Sequence, residues 1–378
     1  METVTEKIDL KNLDKSNWTT FKFEEIAQKI SKTIKPEEAE VDIYVGLEHL
    51  DREDIHIRRK GVPADVKGGK LRCYPGDIIF GKRRAYQRKA AIVDFDGICS
   101  AHAFVFRANS DVLDPKLFPF FLHSDQFMHR MVDISVGGLS PTINWGDLKN
   151  QEFLLPPKDQ QAQLAKLLWA MDDVIEREKE VLNKIELSYL SYSKFIFSTG
   201  KGVKKELSKI GKLIMGQSPP GSSYNESGEG IPFLQGNAEF GQKHPRHTKY
   251  TTSPNKIIEN NTILISVRAP VGDLNMANRK YCIGRGLAGL FVENENLRDY
   301  VYNFLKYARQ ELKRNSTGST FKAINKDILS SLKFVIPDEN TLNSNSIKLN
   351  SILRTKELQR NNIDNSQSLQ KSLINQIF

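Results

Sequence analysis

The sequence predicts an α+β protein: two globular, mixed α/β domains joined by long helices that pair as an antiparallel coiled coil, under an internal pseudo-two-fold repeat. Three observations predict it. The phrase SVGGLSPTINWGDLKNQEFLLPP, beginning at Ser135, returns in altered form as STGSTFKAINKDILSSLKFVIP at Ser316. The same order of strand-like, turn-like and helix-like segments precedes both copies. Each copy is followed by a long stretch free of Gly and Pro in which apolar residues recur every three or four positions. A repeat this long signals a duplicated domain, whereas solenoids repeat every ~20–50 residues. The boundaries drawn from it are 1–155 for the first domain, 156–200 for the first long helix, 201–338 for the second domain and 339–378 for the second long helix.

The elements follow in the same order in both halves. An apolar run ends in a basic turn, PGDIIFGKRRAYQRK in one half and NNTILISVRAPVGD in the other. A second apolar stretch follows (ICSAHAFVF; CIGRGLAGLFV), then an amphipathic helix (DPKLFPFFLHSDQFMHRM; ENLRDYVYNFLKYARQEL). Gly137, Gly138 and Gly318 mark a helix exit that needs positive φ. Asn144 and Asn325 then stand where a side-chain oxygen can cap a short helix, and a strand ends at Pro156 or Pro337. The repeat offset is 181 residues over the quoted phrases and 184 nearer each start, where Ile26 falls on Ile210, Ile79 on Ile263 and Arg84 on Arg268. A length change in a connecting loop accounts for the shift.

On the first long helix Leu164, Leu168, Met171, Ile175, Leu182 and Ile185 lie on one stripe. The second carries Leu349, Ile352, Leu353 and Leu358 among many Asn, Gln and Ser residues, a broken stripe that would be marginal without a partner. Pairing the two helices supplies each with its missing face. At 1.5 Å per residue a helix of ~40 residues spans about 60 Å, enough to project beyond one domain or bridge two.

The chain has 55 Lys and Arg against 46 Asp and Glu, a formal charge of +9 that favours a polyanionic partner. Its three cysteines, Cys73, Cys99 and Cys282, fit neither a disulfide framework nor a zinc pattern, and read as reduced thiols of a cytosolic protein. The first residues contain no apolar signal core and no later run has the ~18 apolar residues of a membrane span. These features predict a soluble, cytoplasmic protein without a membrane partner.

Catalytic patterns are missing. The Gly-rich stretch from Met215 to Gly236 lacks the GxxxxGK[ST] spacing of a phosphate loop and reads as a surface loop. Ser218-Pro219-Pro220-Gly221 lacks the Asn or Asp and the aromatic residue that an amino-methyltransferase uses on its base. His244 and His247 have no third ligand beside them, so no metal site is expected. The chain is therefore expected to have no catalytic residues, no metal and no cofactor of its own.

Binding chemistry is better represented. Lys82, Arg83, Arg84, Arg88 and Lys89, with Tyr86 among them, cluster after a predicted strand, and His102 joins them. The second half offers Arg268 at the equivalent place, with Arg279, Arg285 and the loop residues Lys243, Arg246, His247 and Lys249. The small residues Ser316 and Thr317 suit phosphate contact. Arginine forks fit guanine edges and phosphates alike, while a solvated basic face or ion pairs to the scaffold remain open for any single residue.

YVGLEHL, PGDIIFGKRRAYQRKA, MGQSPPGSSYN followed by IPFLQG, LISVRAPVG, IGRGLAGL and STGSTFKAI together resemble target-recognition segments of the DNA-specificity subunit of Type I restriction-modification systems. The resemblance covers nearly the whole chain. It implies a non-catalytic subunit of the prokaryotic cytoplasm that reads a split, asymmetric sequence on double-stranded DNA. Its helices would fix the gap between half-sites and dock two modification subunits that bind S-adenosylmethionine, and a restriction subunit would join them. Two other readings stand beside it: a single-chain DNA methyltransferase or a bipartite-site restriction enzyme with a fused modification or cleavage partner, and an interaction scaffold whose basic faces bind nothing specific.

Overall fold

The computed structural model describes residues 13–314, 316 and 323–378. The chain divides into two compact units. The first contains the residues up to Lys179 together with Asn361–Phe378, and the second is Glu180–Arg360.

The first unit contains strands β1 (Thr19–Lys22), β2 (Ala27–Ile30), β3 (Thr33–Ile34), β4 (Tyr44–Val45), β5 (Lys70–Cys73), β6 (Ile78–Gly81), β7 (Ala90–Ile92), β8 (Gly97–Cys99), β9 (Ala103–Ala108) and β10 (Glu152–Leu155). Its helices are α1 (Phe23–Ile26), α2 (Phe118–His123), α3 (Asp125–Asp133), α4 (Trp145–Leu148) and the start of the long α5 (Lys158–Ser198). The strands form a β1-β10 pair and two four-stranded sheets, β2-β9-β6-β7 and β3-β5-β8-β4.

The second unit contains β11 (Val203–Glu206), β12 (Lys212–Met215), β13 (Tyr224–Asn225), β14 (Ile231–Leu234), β15 (Lys249–Thr251), β16 (Ile257–Ile258), β17 (Ile263–Ser266), β18 (Leu274–Met276), β19 (Tyr281–Ile283), β20 (Leu287–Phe291) and β21 (Lys333–Ile336). Helices α6 (Glu295–Tyr307), α7 (Arg309–Arg314), α8 (Lys326–Ser330) and α9 (Glu339–Ile377) complete the fold, the end of α9 belonging to the first unit. The β11-β21 pair and the sheet β12-β20-β17-β18 repeat the first pattern, while the remaining sheet, β13-β15-β14-β19-β16, has five strands where the first unit has four.

Both units place one face of the β6- or β17-containing sheet against helices. Ile78 and Phe80 on β6, like Phe104 and Phe106 on β9, enter a helical core with Phe121, Phe127 and Phe153. Ile263 and Ile265 on β17, with Ala288 and Leu290 on β20, do the same against Phe304 and Phe334, whose rings stack at 4.5 Å. Ile79 and Leu264 point the other way, into separate smaller cores, as the two-residue period of a strand requires.

This alternation corrects one register. β6 pairs with β9 through Ile78↔Phe106, and β17 with β20 through Ile263↔Leu290. The offset across β6 and β17 is thus 185, not 184, so Arg268 corresponds to Arg83 rather than Arg84. A one-residue slip would turn every side chain of the strand to the opposite face.

The caps are unequal. Asn325 Oδ1 accepts from the amide of Ile328 at 2.9 Å, but the Asn144 side chain makes no cap bond to α4. Gly137 has φ +118° without lying at a helix exit: it sits in the turn closed by the Val136↔Thr142 bridge, with the side chain of Leu139 97% exposed. Gly318 and Thr317 lie outside the described residues.

α5 and α9 pack together in each unit. In the first, Leu164, Leu168, Leu373 and Ile377 share the helical core, and Ile175 is also buried. In the second the helices run antiparallel: Glu186 meets Lys356 at 2.7 Å and Arg360 at 3.0 Å, and one and a half turns on, the Tyr192 hydroxyl donates to Asn345 at 2.8 Å. The Asn-rich stripe has its reason here. Asn350 donates to Asp299 at 3.0 Å and accepts from Asn303 at 3.3 Å, so a buried apolar seam is replaced in part by hydrogen bonds. Leu349 is buried, Met171, Leu182, Ile185, Ile352 and Leu353 are half-buried, and Leu358, expected on the seam, is 56% exposed because it faces away from α5 where charged groups make the contact.

Among the described residues no helix is long and apolar enough to cross a membrane.

Candidate nucleic-acid interface

In both units the strand carrying the basic turn leads into the same backbone arrangement. Arg83 forms an antiparallel bridge with Thr142, and Arg268 forms one with Ala323. Ile143 donates to the Lys82 carbonyl and Ile324 to the Val267 carbonyl, each at 2.9 Å. The repeated phrase is therefore the segment that clamps the basic turn. Arg83 and Arg268 are exposed, and among the described residues no carboxylate forms an ion pair with either.

The other predicted residues of the first unit separate into two groups. Arg84 is exposed in the left-handed region at φ 57° and its Nε donates to Ser140 at 3.0 Å. Tyr86 is 52% exposed and His102 is exposed. Lys82 is half-buried with its Nζ 5.1 Å from the Phe104 ring centre, and burial, then Lys29, lowers its pKa. Arg88 departs from expectation: it is buried, ion-paired to Glu53 at 2.7 Å and Asp125 at 2.6 Å, and donates to the His123 carbonyl. Its fork is used up inside the unit, because a buried guanidinium must be paired. Lys89 likewise donates to the Leu47 carbonyl at 2.6 Å.

In the second unit the cations occupy the two ends of β19. Arg279 precedes it, near His247, whose ring lies edge-on to Tyr250 and Tyr281 and whose pKa is lowered by burial and by Arg279. Lys243, Arg246 and Lys249 are exposed along that loop, where the Arg246 backbone N–H donates to the Glu239 carbonyl at 2.7 Å. Arg285 follows β19 at the opposite end, beside Arg268. Ser316 donates to the Lys313 carbonyl and Thr317 lies outside the described residues.

Arg268 and Arg285 line a pocket of about 200 Å³ with Gln235, Gly236 and Asn237. Asn237 donates to Asp273 at 3.0 Å, and Asp273 is ion-paired to Arg309. Gln235, Asn237, Asp273 and Arg309 were not legible as site residues, since only tertiary structure brings the end of the Gly-rich stretch to the β17 and β19 turns. That stretch, expected to be a surface loop, is one only in part: it carries β13 and β14, and β14 pairs with β15 and β19 and buries Phe233 and Leu234, while Ser218 before them accepts from the Arg285 amide at 3.4 Å.

The first unit also gathers His56, Asp172 and Glu176, three side chains of metal-binding type. Their charges are already engaged. His56 Nε2 lies 2.7 Å from Asp172, which raises the imidazole pKa, and Arg58 holds Glu176 at 2.5 and 2.7 Å. Arg58 first, with Lys179, draws the Glu176 pKa down to about 2. This is an ion-pair network tying the loop after Asp54 to α5.

A family model described as the Type I restriction modification DNA specificity domain matches residues 15–187 and again 201–365. The chain belongs to this family. It is thus the DNA-specificity component of a Type I restriction-modification system, a recognition subunit rather than a catalytic one. The putative type I restriction enzyme MjaX specificity subunit of Methanocaldococcus jannaschii is 32% identical over 358 aligned positions, covering 87% of this chain and 84% of that protein. A solved chain described under complex assembly and conformational transition of the type I R-M system has a TM-score of 0.66 and 27% identity, covering 95% of this chain and 97% of the other. The S subunit from M. genitalium, at 17% identity and TM-score 0.58 over 96% of both chains, shares the fold. The specificity subunit's two family matches fall one on each half of the repeat.

Proposed function

We propose that each unit reads one half of a bipartite, asymmetric DNA target, that α5 and α9 set the number of unread base pairs between the halves, and that the helices dock two modification subunits holding S-adenosylmethionine, to which a restriction subunit adds. The observation that carries this reading is the basic turn clamped the same way twice, with Arg83 and Arg268 exposed and, among the described residues, without an ion-pair partner. A rigid connection between two weak readers raises the effective concentration of the second once the first is bound. The surroundings of the two turns differ, which favours different half-sites: Arg285 in the second unit stands where the first has Ala101. Exposed apolar side chains on the helices, Leu187, Leu190 and Phe195 among them, support a protein partner there.

Footprinting of the full chain with its modification subunits on random duplexes tests the reading. Two sequence-defined protected patches about one DNA turn apart are expected. Uniform, salt-sensitive protection would sink it. So would methyl transfer to DNA by the chain alone.

A further inference from the structure

The two units allow a position-by-position comparison of one binding turn, and the comparison separates what they share from what they do not. Ser100 donates to the Val45 carbonyl at 3.0 Å, and Gly284 to that of Leu234 at 2.8 Å. Ala103 donates to the Ser100 carbonyl and Leu287 to that of Gly284, each at 3.0 Å. These bonds make Ser100 equivalent to Gly284, so Ala101 stands for Arg285, and Gly46 for Gln235. Only Arg83 and Arg268 present the same chemistry in the same place.

The turn that carries Arg285 is tightly built. Its amide donates to Ser218, and Val267 donates to the Gly286 carbonyl at 2.9 Å. A Cβ on Gly286 would lie 2.6 Å from the Gln235 carbonyl oxygen, so the two walls of the pocket are in contact there and only glycine fits. The Ser266 hydroxyl donates to the Arg268 carbonyl at 2.9 Å, and the Asn237–Asp273–Arg309 chain fixes the opposite wall. Above this braced floor the side chains of Arg268, Arg285 and Gln235 are exposed. Among the described residues none of these three forms an ion pair. A rigid concave wall with free forked donors suits a planar base edge: arginine pairs bidentately with guanine O6 and N7, and glutamine with adenine N6 and N7. Phosphate contacts position a protein without carrying sequence, so a contact common to two units that read different half-sites belongs in that class.

We infer that Arg285 is a specificity-determining residue that reads a guanine in the half-site of the second unit, with Gln235 on the neighbouring base pair, while Arg268, like Arg83, holds a phosphate. The inference rests on the proposed reading of one half-site per unit. It predicts that sequence information in the second unit comes from residues without a counterpart in the first.

The test is selection of bound duplexes from a random pool by the full chain with its modification subunits, for wild type, Arg285→Ala, Arg285→Lys, Gln235→Ala and Arg268→Ala. Exposed side chains are changed, and thermal melting of each variant checks that folding is intact. Both Arg285 variants are expected to lose roughly tenfold or more of their preference at one G·C position, because lysine keeps the charge but not the fork. Gln235→Ala should relax the adjoining position. Arg268→Ala should weaken all sequences alike and lower the salt slope by about one. The inference is overturned if Arg285→Lys keeps the full preference, or if Arg285→Ala weakens all sequences evenly. A wild-type pool with no specified patch overturns the parent reading, and this one with it.

Discussion

Arg83 and Arg268 occupy one topological position: each leaves the strand that faces the helical core and bridges the residue just before an Ile-Asn pair, Thr142 in one unit and Ala323 in the other. Because each is a phosphate contact in the proposed reading, replacing Arg83 or Arg268 with Ala should weaken binding to all duplexes by a similar factor and lower the salt slope by about one, leaving the bases selected in both half-sites unchanged. Titration of each variant with its selected duplex and with a scrambled one, at several salt concentrations, measures this. A change in the bases selected by either variant would contradict the phosphate role.

Arg88 belongs with the scaffold despite its place in the basic run. Arg88→Ala takes one partner from Glu53, which keeps Lys371 at 2.8 Å, and one from Asp125, which keeps Asn375 at 2.7 Å, and is expected to cost about 1–3 kcal/mol in chemical denaturation. Arg84→Ala, on the exposed side of the same turn, should leave the denaturation midpoint unchanged.

The His56–Asp172 contact makes the first unit sensitive to pH. The hydrogen bond that His56 donates to Asp172 raises the imidazole above its ordinary value, with burial and Arg58 opposing and Glu176 adding to it. A raised folded pKa gives stability that is complete below about pH 6.5, the unfolded value, and lost as pH rises through the folded one. Stability measured from pH 5.5 to 8.5 should fall over that window, and His56→Gln should flatten the fall. A wild-type profile that matches the variant's would remove His56 from the network.

Leu349 and Asn350 test the two kinds of seam side by side. Leu349→Ala, in the core of the second unit, should cost about 2–5 kcal/mol. Asn350→Leu, at an exposed position, removes bonds to Asp299 and Asn303 and should cost about 0.5–1.5 kcal/mol, because Asn303 Nδ2 keeps the Asp299 carbonyl and the Asp299 carboxylate reaches solvent. Denaturation of both variants decides whether the polar seam contributes to stability.

Insertion of four residues into both α5 and α9, about one helical turn each, should lengthen the unread gap without changing either half-site. Selected duplexes whose half-sites change while the gap does not would refute a spacing role for the helices.

Much of this was legible in the sequence because repetition and periodicity are local signals. The basic turns, the two long helices and the repeated phrase, in its second copy from Ala323 onward among the described residues, stand in the fold. The offset at β6 was one residue off, since a single loop insertion is invisible when both strands are continuous apolar runs. The fate of Arg88 was equally hidden, because its partners Glu53 and Asp125 are distant in sequence. The Asn and Ser residues of α9 looked like weak helix-pairing positions, yet Asn345 and Asn350 find partners that only the folded unit brings near. The pocket beside Arg285 draws on three separate turns, and nothing along the chain links Gln235 to Arg268.

The assignment of Asn361–Phe378 to the first unit bears on how the protein is made. Leu164 and Leu168 share a core with Leu373 and Ile377, some two hundred residues later. On a ribosome the first recognition unit emerges before the second, but residues that complete its interior follow only after the second unit has been made. Contacts so far apart in sequence close slowly. The unit that begins first is therefore expected to close after the second, leaving Phe121 and its neighbours uncovered until Leu373 and Ile377 have emerged.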